Sequence, residues 1–526
     1  MGISLPVVGL GAFIRGSGKG LATESVLHSR WLFGAVALLA IVFFSLTNLP
    51  WALDEYSQER QALASYDIMK EGRWLYQQAP RDRDATKPPL IPWISAGLYG
   101  VTRSWDVAWR LPSFGAAIAL AWLIFRIARE RFGKSAGLLA LSAFVLNMVS
   151  PRLATLVRTD MPLALVVFLI GWQIWNKIET GEPWNRRDRW LMFLLLTIGA
   201  FIKGPIIYVF LLPGIALFQW RWRKEKVGQA WCGWWPWLWS LGLFLTWVIG
   251  GLVTQPGFFD QVIMHEFFGR FSTAEQRPHP PYYYVGHLLH KFAPWSELLL
   301  ILAALNLGFG GGGKENAESD VQNRKWRIRD IRVALARMSP GVFWLLGWSL
   351  GGLLVMSLVP SKRLDRIFPL IPPLCLLIAA QVSRTFPNES VRRRTYRWSA
   401  VALALSFLLT SQYSLSKVIY GYRDHGDALV TFGRQVRSEA RLRHWRYEVV
   451  TSHDGGMLLY LDKPHFIEPE RAVAAWNRGA LDALVMRASD AGTLLARLSG
   501  ATLSPLRSQA PKGERGKEYV LLVRGP

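Results

Sequence analysis

The chain has 526 residues, of which 51% are hydrophobic and 13% aromatic, and its formal net charge at pH 7 is +24. A nucleic-acid-binding protein would gather its Lys and Arg on one soluble face, together with aromatic residues or a known motif. Here most basic residues lie in short gaps between apolar runs. This distribution excludes nucleic-acid binding as the reason for the high positive charge.

Several segments are apolar around the whole helical circumference and approach the roughly 20 residues that span the hydrocarbon core of a bilayer. Such helices need lipid around them, so we predict a mainly α, polytopic membrane protein with about eleven transmembrane helices. The predicted helices cover 31–50, 107–127, 135–150, 160–176, 190–204, 205–220, 234–253, 292–309, 341–358, 364–382 and 398–416.

The basic residues indicate the orientation of these helices, because they cluster at every second gap, as cytoplasmic loops do. We therefore expect a cytoplasmic N-terminal segment at 1–30, an uncleaved first helix, and two large external loops at 51–105 and 254–291. The basic clusters are Arg126 to Lys134, Arg186 to Arg189, Arg221 to Lys226, Arg324 to Arg337 and Arg392 to Arg397.

The first external loop contains an amphipathic stretch at 56–70. Ala62, Leu63, Tyr66 and Met69 recur there at helical spacing. The pattern predicts a helix that lies along the membrane surface.

The hydropathy drops after the predicted transmembrane domain of 31–416. Short β-like runs then alternate with helix-like segments such as 428–440, which predicts a small external α/β domain at 417–526. The β-like runs are 447–451, 457–461, 483–486 and 519–523.

Two acidic motifs lie at the outer ends of predicted helices. Asp54 and Glu55 follow the first helix, where a carboxylate pair is either a solvated helix end or a catalytic group. Asp160 begins the helix at 160–176, and it or Thr159 would cap that helix with Pro162 in the first turn. From the residues alone, both motifs keep a structural and a catalytic interpretation.

Cationic and aromatic residues near the outer surface form a second set of candidates. Lys87 precedes two prolines, and a lysine at an interface either snorkels towards lipid headgroups or binds an anion. Arg270 lies in the second external loop, followed by Tyr283 and Tyr284, which also fit an ordinary interfacial aromatic belt. Lys203 lies at the outer end of the helix at 190–204.

In this order on one side of a many-helix protein, these motifs resemble the aminoarabinose transferases of lipid A modification and the related protein O-mannosyltransferases of the GT-C class. The resemblance covers roughly residues 30–385, with one departure at Thr86, where relatives commonly have glutamate. Its motifs are Asp54-Glu55, Lys87-Pro88-Pro89, Arg110-Leu111-Pro112, Thr159-Asp160-Met161-Pro162, Lys203-Gly204-Pro205, Arg270-Phe271, Pro294-Trp295-Ser296 and Ser361-Lys362.

The resemblance implies transfer of a sugar from a polyprenyl-phosphate donor to an envelope acceptor, with inversion, at the periplasmic face of a bacterial inner membrane. A lipid A-like glycolipid is the favoured acceptor, and another glycan or a protein Ser/Thr remains an alternative. The departing phosphate calls for cations and the acceptor for a carboxylate base. The expected catalytic residues are Asp54, supported by Asp160, and the expected substrate-binding residues are Lys87, Arg270, Lys203, Glu55, Tyr283 and Tyr284.

The sequence also bears on a metal cofactor and on two rival functions. We expect no tightly bound metal, because Thr86 replaces the glutamate and the histidines lack a trusted ligand spacing, but a divalent cation is left open. A transporter would line a path within the membrane with polar residues, and a non-catalytic envelope assembly factor would use its external domain for docking. The sequence is poor in mid-helix charges and rich in polar residues at the external loops, which favours an enzyme.

Overall fold

The computed structural model describes most of the chain in ten segments. Asp54, Glu55 and Arg270, together with the N-terminal segment up to residue 28, lie outside the described residues. The described residues are 29–53, 58–79, 83–223, 229–269, 279–309, 335, 337–383, 389–452, 454–510 and 516–525.

The membrane part of the described chain is helical. The segment that follows the first helix α1 contains helix α2, an antiparallel pair of two-residue strands (β1, Gln78–Ala79; β2, Arg83–Asp84) and helix α3. The helices are α1 (Arg30–Leu46), α2 (Gln58–Glu71), α3 (Leu90–Thr102), α4 (Trp105–Phe132), α5 (Lys134–Val145), α6 (Ser150–Ala154), α7 (Asp160–Thr180), α8 (Arg186–Lys203), α9 (Ile206–Arg221), α10 (Trp235–Thr254), the π-helical α11 (Phe259–Phe268), α12 (Tyr283–Lys291), α13 (Trp295–Phe309), α14 (Pro340–Leu358), a 3₁₀ turn (Leu364–Leu370) that leads into α15 (Ile371–Val382), and α16 (Glu389–Arg423).

Six helices of the described chain are long and apolar enough to cross a membrane, and the pair α12 and α13, bent by 101°, is a further candidate. Four shorter apolar helices, among them α1, α5 and α9, accompany them. The protein is therefore a multi-pass membrane protein, while the predicted number of eleven spans stays a prediction. Each predicted helix overlaps an observed one, and α3 was not predicted.

The helices pack in an inner and an outer set. Helices α5 and α15 are buried almost throughout and contact each other at the centre. Helices α1, α10 and α16 expose large apolar residues on one side, as lipid-facing helices do. Helices α9 and α14 approach closely where Gly214 lies against the backbone of Trp348.

The loops meet in two groups, one at each end of the helix bundle. On one end, Arg131 pairs with Glu179 at 3.5 Å and the Trp184 indole donates to the carbonyl of Gln229, so three of the basic gaps meet. On the other end, the segments predicted to be external meet one another, as in the 3.0 Å ion pair between Arg434 and Asp106. The basic gaps and the predicted external loops thus meet at different ends of the bundle, and which end is external stays a prediction.

Helix α2 occurs where amphipathicity predicted a helix, but it does not lie with one face in solvent. All residues from Gln61 to Ile68 are buried, including Asp67, because α3 covers one side of the helix and the C-terminal part covers another. Hydrophobic periodicity reports the apolar stripe of a helix and does not show that the polar stripe is also covered.

The C-terminal part forms a four-stranded sheet with helices. Strand order is β3-β4-β6-β5, with β3 and β4 parallel and the other pairs antiparallel. Its elements are α17 (Ala428–Leu442), β3 (Tyr447–Val449), α18 (Gly455–Tyr460), α19 (Pro469–Asn477), β4 (Ala483–Arg487), α20 (Ala488–Leu495), β5 (Ala501–Arg507) and β6 (Tyr519–Arg524).

One predicted strand of this sheet is wrong and another was missed. The run at 457–461 lies mostly in helix α18, because a short apolar run does not distinguish a strand from a buried helix. Strand β5 is a largely exposed edge strand that contains Pro505, so it lacks the apolar pattern of a central strand.

Candidate active site

Asp160 is the centre of a buried ion-pair cluster at the N-terminal end of α7. Its carboxylate is 1% exposed, and one oxygen accepts a hydrogen bond from the ammonium of Lys203. The other oxygen accepts from Nε of Arg158 at 2.8 Å. Neither Thr159 nor Asp160 caps the helix through its side chain. The capping interpretation of this motif is therefore not observed, and the carboxylate instead binds two cations.

The local sequence explains how Lys203 reaches this cluster. Helix α8 ends at Lys203, and Gly204 adopts a φ of +79°, a left-handed conformation that favours glycine. Pro205 then precedes α9, whose first residues need no intrahelical N–H donor. The sharp turn places the last side chain of α8 against the first residue of α7.

The cluster also contains Asp365, which was not predicted from the sequence. Nη2 of Arg158 donates to Asp365 at 2.7 Å, and Asp365 also accepts from Nε of Arg363 at 3.2 Å. Asp365 lies in the 3₁₀ turn before α15. The available signal was the charged run at 362–366, which interrupts two apolar stretches at the external end rather than at a basic gap.

Lys87 lies at the edge of the same cluster. It is half-buried in the segment before α3, and its positive charge acts on the carboxylate of Asp160. Pro88 and Pro89 after it are buried, which fixes the backbone that presents the lysine. The structure therefore brings together Lys87, Asp160 and Lys203, three of the residues singled out in the sequence.

The chain on either side of Asp54 and Glu55 is anchored next to this cluster. The N–H of Leu53 donates to the hydroxyl of Tyr460 at 2.8 Å. After the gap, the amide of buried Gln58 accepts from the N–H of Val157, directly before Arg158, at 2.8 Å. Two separated segments, the first external loop and the start of α7, are thereby joined.

Arg110 positions the start of the first external loop. Its guanidinium is buried, donates to the carbonyl of Trp51 and lies 5.0 Å from the centre of the Trp51 ring. Trp51 adopts a φ of +62°, which is unusual for a large side chain and costs on the order of 1–3 kcal/mol. Arg110 of the Arg110-Leu111-Pro112 motif therefore holds the backbone at Trp51, three residues before Asp54.

The two tyrosines of the second external loop have different surroundings. Tyr284 is fully buried, and its hydroxyl accepts the N–H of Arg363 at 3.4 Å. Tyr283 instead lines a cavity, where its ring lies 4.5 Å from that of His279 and 4.2 Å from that of His287. Tyr284 thus supports the loop that carries Asp365, and Tyr283 is the one that borders open space.

No group of three or more potential metal-ligating residues occurs within the described segments. His279 and His287 both flank Tyr283, while the side chain of His265 is outside the described residues. The prediction that the protein has no tightly bound metal stays a prediction.

Comparison with known proteins supports the resemblance inferred from the motifs. The family model for dolichyl-phosphate-mannose-protein mannosyltransferases matches residues 86–249, a range that includes Lys87, Asp160 and Lys203. A solved structure of ArnT from Cupriavidus metallidurans bound to undecaprenyl phosphate superposes with a TM-score of 0.62 at 16% identity, covering 97% of this chain and 98% of that one. The protein has an ArnT-like fold. The predicted fold class and resemblance are confirmed.

Curated relatives carry the name undecaprenyl phosphate-alpha-4-amino-4-deoxy-L-arabinose arabinosyl transferase. The relative from Erwinia tasmaniensis is 23% identical over 65% of this chain, and the match spans 58% of that relative's length. The relative from Aeromonas salmonicida is 24% identical over 91% of this chain and 86% of its own length. These proteins are what the chain is similar to.

Proposed function

We propose that this ArnT-like protein is a membrane glycosyltransferase that moves a sugar from a polyprenyl-phosphate donor to an envelope acceptor, with inversion. We place its active site at the periplasmic face of a bacterial inner membrane. The observation that carries the proposal is the buried cluster of Lys203, Asp160, Arg158 and Asp365, which lies where the external segments meet.

In this proposal, cations stabilise the departing phosphate. Lys87 and Arg270 are the proposed direct partners of the donor phosphate, because cations stabilise the charge that grows on it as the glycosidic bond breaks. Lys203, which is held in place by its hydrogen bond to Asp160, contributes a further positive charge. Asp160 acts as a positioning residue in this proposal, since both of its carboxylate oxygens already accept from cations.

The acceptor is activated on the side of the first external loop. Asp54 is the proposed base, with Glu55 as a neighbouring substrate contact, and it directly follows Leu53, whose backbone is anchored to Tyr460. Direct attack by the acceptor on the sugar opposite the phosphate inverts the anomeric centre. Tyr283 borders the adjoining cavity and is a further proposed substrate contact.

The distribution of buried charge favours an enzyme over a transporter. Within the described membrane helices, the buried ionisable side chains lie near helix ends, as Asp160 does at the start of α7 and Lys177 does near its end. A transport path would place such groups along the middle of the helices. Burying several charges is costly, and a non-catalytic docking protein has no need for such a cluster.

The acceptor and the sugar can be identified from the glycosylated molecules that a deletion strain lacks. Mass spectrometry of its envelope lipids and glycoproteins is expected to show a glycolipid that lacks one sugar, restored by the wild-type gene. A change confined to glycoproteins would establish the Ser/Thr alternative. Unchanged lipids and glycoproteins under conditions where the wild-type protein is expressed would contradict the proposed function.

A further inference from the structure

The C-terminal part and the segment that follows α1 share one hydrophobic core. Leu53, Ala62 and Tyr66 of that segment pack in the same cluster as Phe432 of α17 and Tyr460 of α18. All five side chains are buried. Because a close-packed core transmits displacements between the elements that form it, the C-terminal part is mechanically continuous with the chain that leads to Asp54.

Tyr460 adds a hydrogen bond to this packing. The N–H of Leu53 donates to its hydroxyl oxygen at 2.8 Å. Leu53 is 1% exposed and Tyr460 is 7% exposed, so water has little access to the bond. A buried backbone N–H needs an acceptor, and here the acceptor is a side chain of the C-terminal part.

The position of Tyr460 is itself restricted on two sides. It is the last residue of α18, all six residues of which are buried. Gly433 of α17 packs so closely that a Cβ there would lie 2.6 Å from the Cβ of Tyr460. The carbonyl of Leu461, next in the chain, accepts from the hydroxyl of Tyr447 at 2.5 Å. The Tyr460 hydroxyl is therefore a fixed point to which the other segment is attached.

The backbone before Asp54 is thus held from two directions. Arg110 of α4 donates to the carbonyl of Trp51, and Tyr460 accepts from the N–H of Leu53. The structure describes Leu53, and Asp54 is the next residue in the sequence. Because consecutive Cα atoms are about 3.8 Å apart, a shift at Leu53 is passed on to Asp54.

We propose that Tyr460 is a positioning residue for sugar transfer, through which the C-terminal part sets the position of the base Asp54. The inference rests on the proposed function, and it gives the C-terminal part a role in the reaction. Tyr460 acts only through the N–H of Leu53 and touches no reacting group. A misplacement of about 1 Å in a catalytic group can slow a reaction by roughly 10²-fold. Loss of one hydroxyl therefore slows transfer without weakening donor binding.

The test begins with Tyr460→Phe, which removes the acceptor hydroxyl and keeps the ring in the core. In single-turnover assays with the radiolabelled donor and envelope lipids, this variant should transfer the sugar roughly 10- to 100-fold more slowly than wild type. Its affinity for undecaprenyl phosphate should be unchanged. In the Asp54→Asn background, the same substitution should have little further effect, because a base that has been removed cannot be misplaced.

Tyr519→Phe is the matched control. Tyr519 is buried in the same core, but its hydroxyl donates to Asp454 at 2.6 Å within the C-terminal part. This variant should lower the melting temperature at least as much as Tyr460→Phe and transfer sugar at close to the wild-type rate. The proposal is overturned by a wild-type rate or weakened donor affinity in Tyr460→Phe. Equal slowing by the control, or equal slowing by Tyr460→Phe in both Asp54 backgrounds, would show a purely structural role and overturn it as well.

Hydrogen–deuterium exchange adds a measurement that needs no turnover. The amide of Leu53 should exchange faster in Tyr460→Phe than in wild type or Tyr519→Phe, because it has lost its acceptor. Unchanged exchange at Leu53 would overturn the proposal whatever the transfer rates. Faster exchange at Leu53 in a protein whose wild type transfers no sugar would contradict the proposed function and leave Tyr460 as the anchor of this segment.

Discussion

At the scale of single residues, Asp160 has both carboxylate oxygens engaged by buried cations. A buried ion pair gains little by itself, because desolvation offsets the attraction, but removing one partner leaves an uncompensated charge. Asp160 therefore matters through the positions of Lys203 and Arg158.

A double-mutant cycle tests this role. Asp160→Asn should destabilise the protein by about 3–5 kcal/mol, because Lys203 is then buried without its counterion. Lys203→Met in the same background should cost less than it does alone, giving a coupling energy of about 0.5–3 kcal/mol. Thermal unfolding of the four purified proteins in detergent measures the cycle, and strictly additive effects would show that the two side chains do not depend on each other.

Two variants of Lys87 distinguish a lysine that binds the donor phosphate from one that only snorkels. If it binds the donor phosphate, Lys87→Ala should weaken donor binding and slow transfer together, because the same cation meets the ground-state diester and the more charged departing phosphate. Lys87→Arg should rescue only partly, since a planar fork does not reproduce a compact charge. Donor binding and single-turnover transfer measure both effects. Full activity in both variants would indicate a lysine that only snorkels.

At the scale of helices, the contact between α9 and α14 depends on glycine. A Cβ on Gly351 would lie 2.9 Å from the backbone N of Gly214 and 3.0 Å from Pro213, closer than side chains pack. A Cβ on Gly347, one turn away, would meet its nearest atom at an ordinary 3.7 Å. Small residues allow membrane helices to approach this closely.

Gly351→Ala should therefore destabilise the protein by about 1–3 kcal/mol, the usual cost of overpacking. Gly347→Ala is the matched control and should have little effect. The melting temperature of each purified variant, and its monodisperse fraction in detergent, report the difference. Equal melting temperatures would show that the two helices separate without cost.

The helices could be predicted because apolar composition over a bilayer's length is a strong signal, and each predicted helix overlaps an observed one. Helix α3 was missed because at 13 residues it is shorter than a membrane span. The C-terminal sheet was predicted less well, since short runs such as 457–461 fit a strand or a buried helix equally.

The candidate site could be predicted only in part. Motif order identified Lys87, Asp160 and Lys203, which the fold brings together from three separate helix ends. Asp365 and Tyr460 were not predicted, because their contacts join segments hundreds of residues apart. The charged run at 362–366 marks Asp365 as a polar interruption but does not show which residue it meets.

At the scale of the whole molecule, the C-terminal part packs on the first external loop beside the site. Tyr66 of α2 donates to Asp462 at 2.7 Å, and Lys70 pairs with the same carboxylate at 3.3 Å. Burial, and then the hydrogen bond to Asp462, raise the pKa of Tyr66, so its hydroxyl remains a donor at physiological pH. Together with Tyr460, these contacts fix the loop that leads to Asp54.

This packing requires both parts to lie on the same side of the membrane. Alkaline phosphatase, which is active only in the periplasm, should be active when fused near Asp84 or near Asp462. Fusions in the basic gaps, for example near Arg187, should be inactive, because cytoplasmic loops carry the positive charge. Silent fusions at Asp84 or Asp462 would overturn the orientation.

The most direct test of the central claim is release of polyprenyl phosphate from a radiolabelled polyprenyl-phosphate sugar by the purified protein with envelope lipids as acceptor. Wild-type protein should release it and transfer the label, Asp54→Asn should be slower by ~10²- to 10⁴-fold because the acceptor loses its base, and Asp490→Asn in the C-terminal part should match wild type. Neither transport nor docking predicts release. No release by wild-type protein with any envelope lipid or glycoprotein fraction would contradict the account.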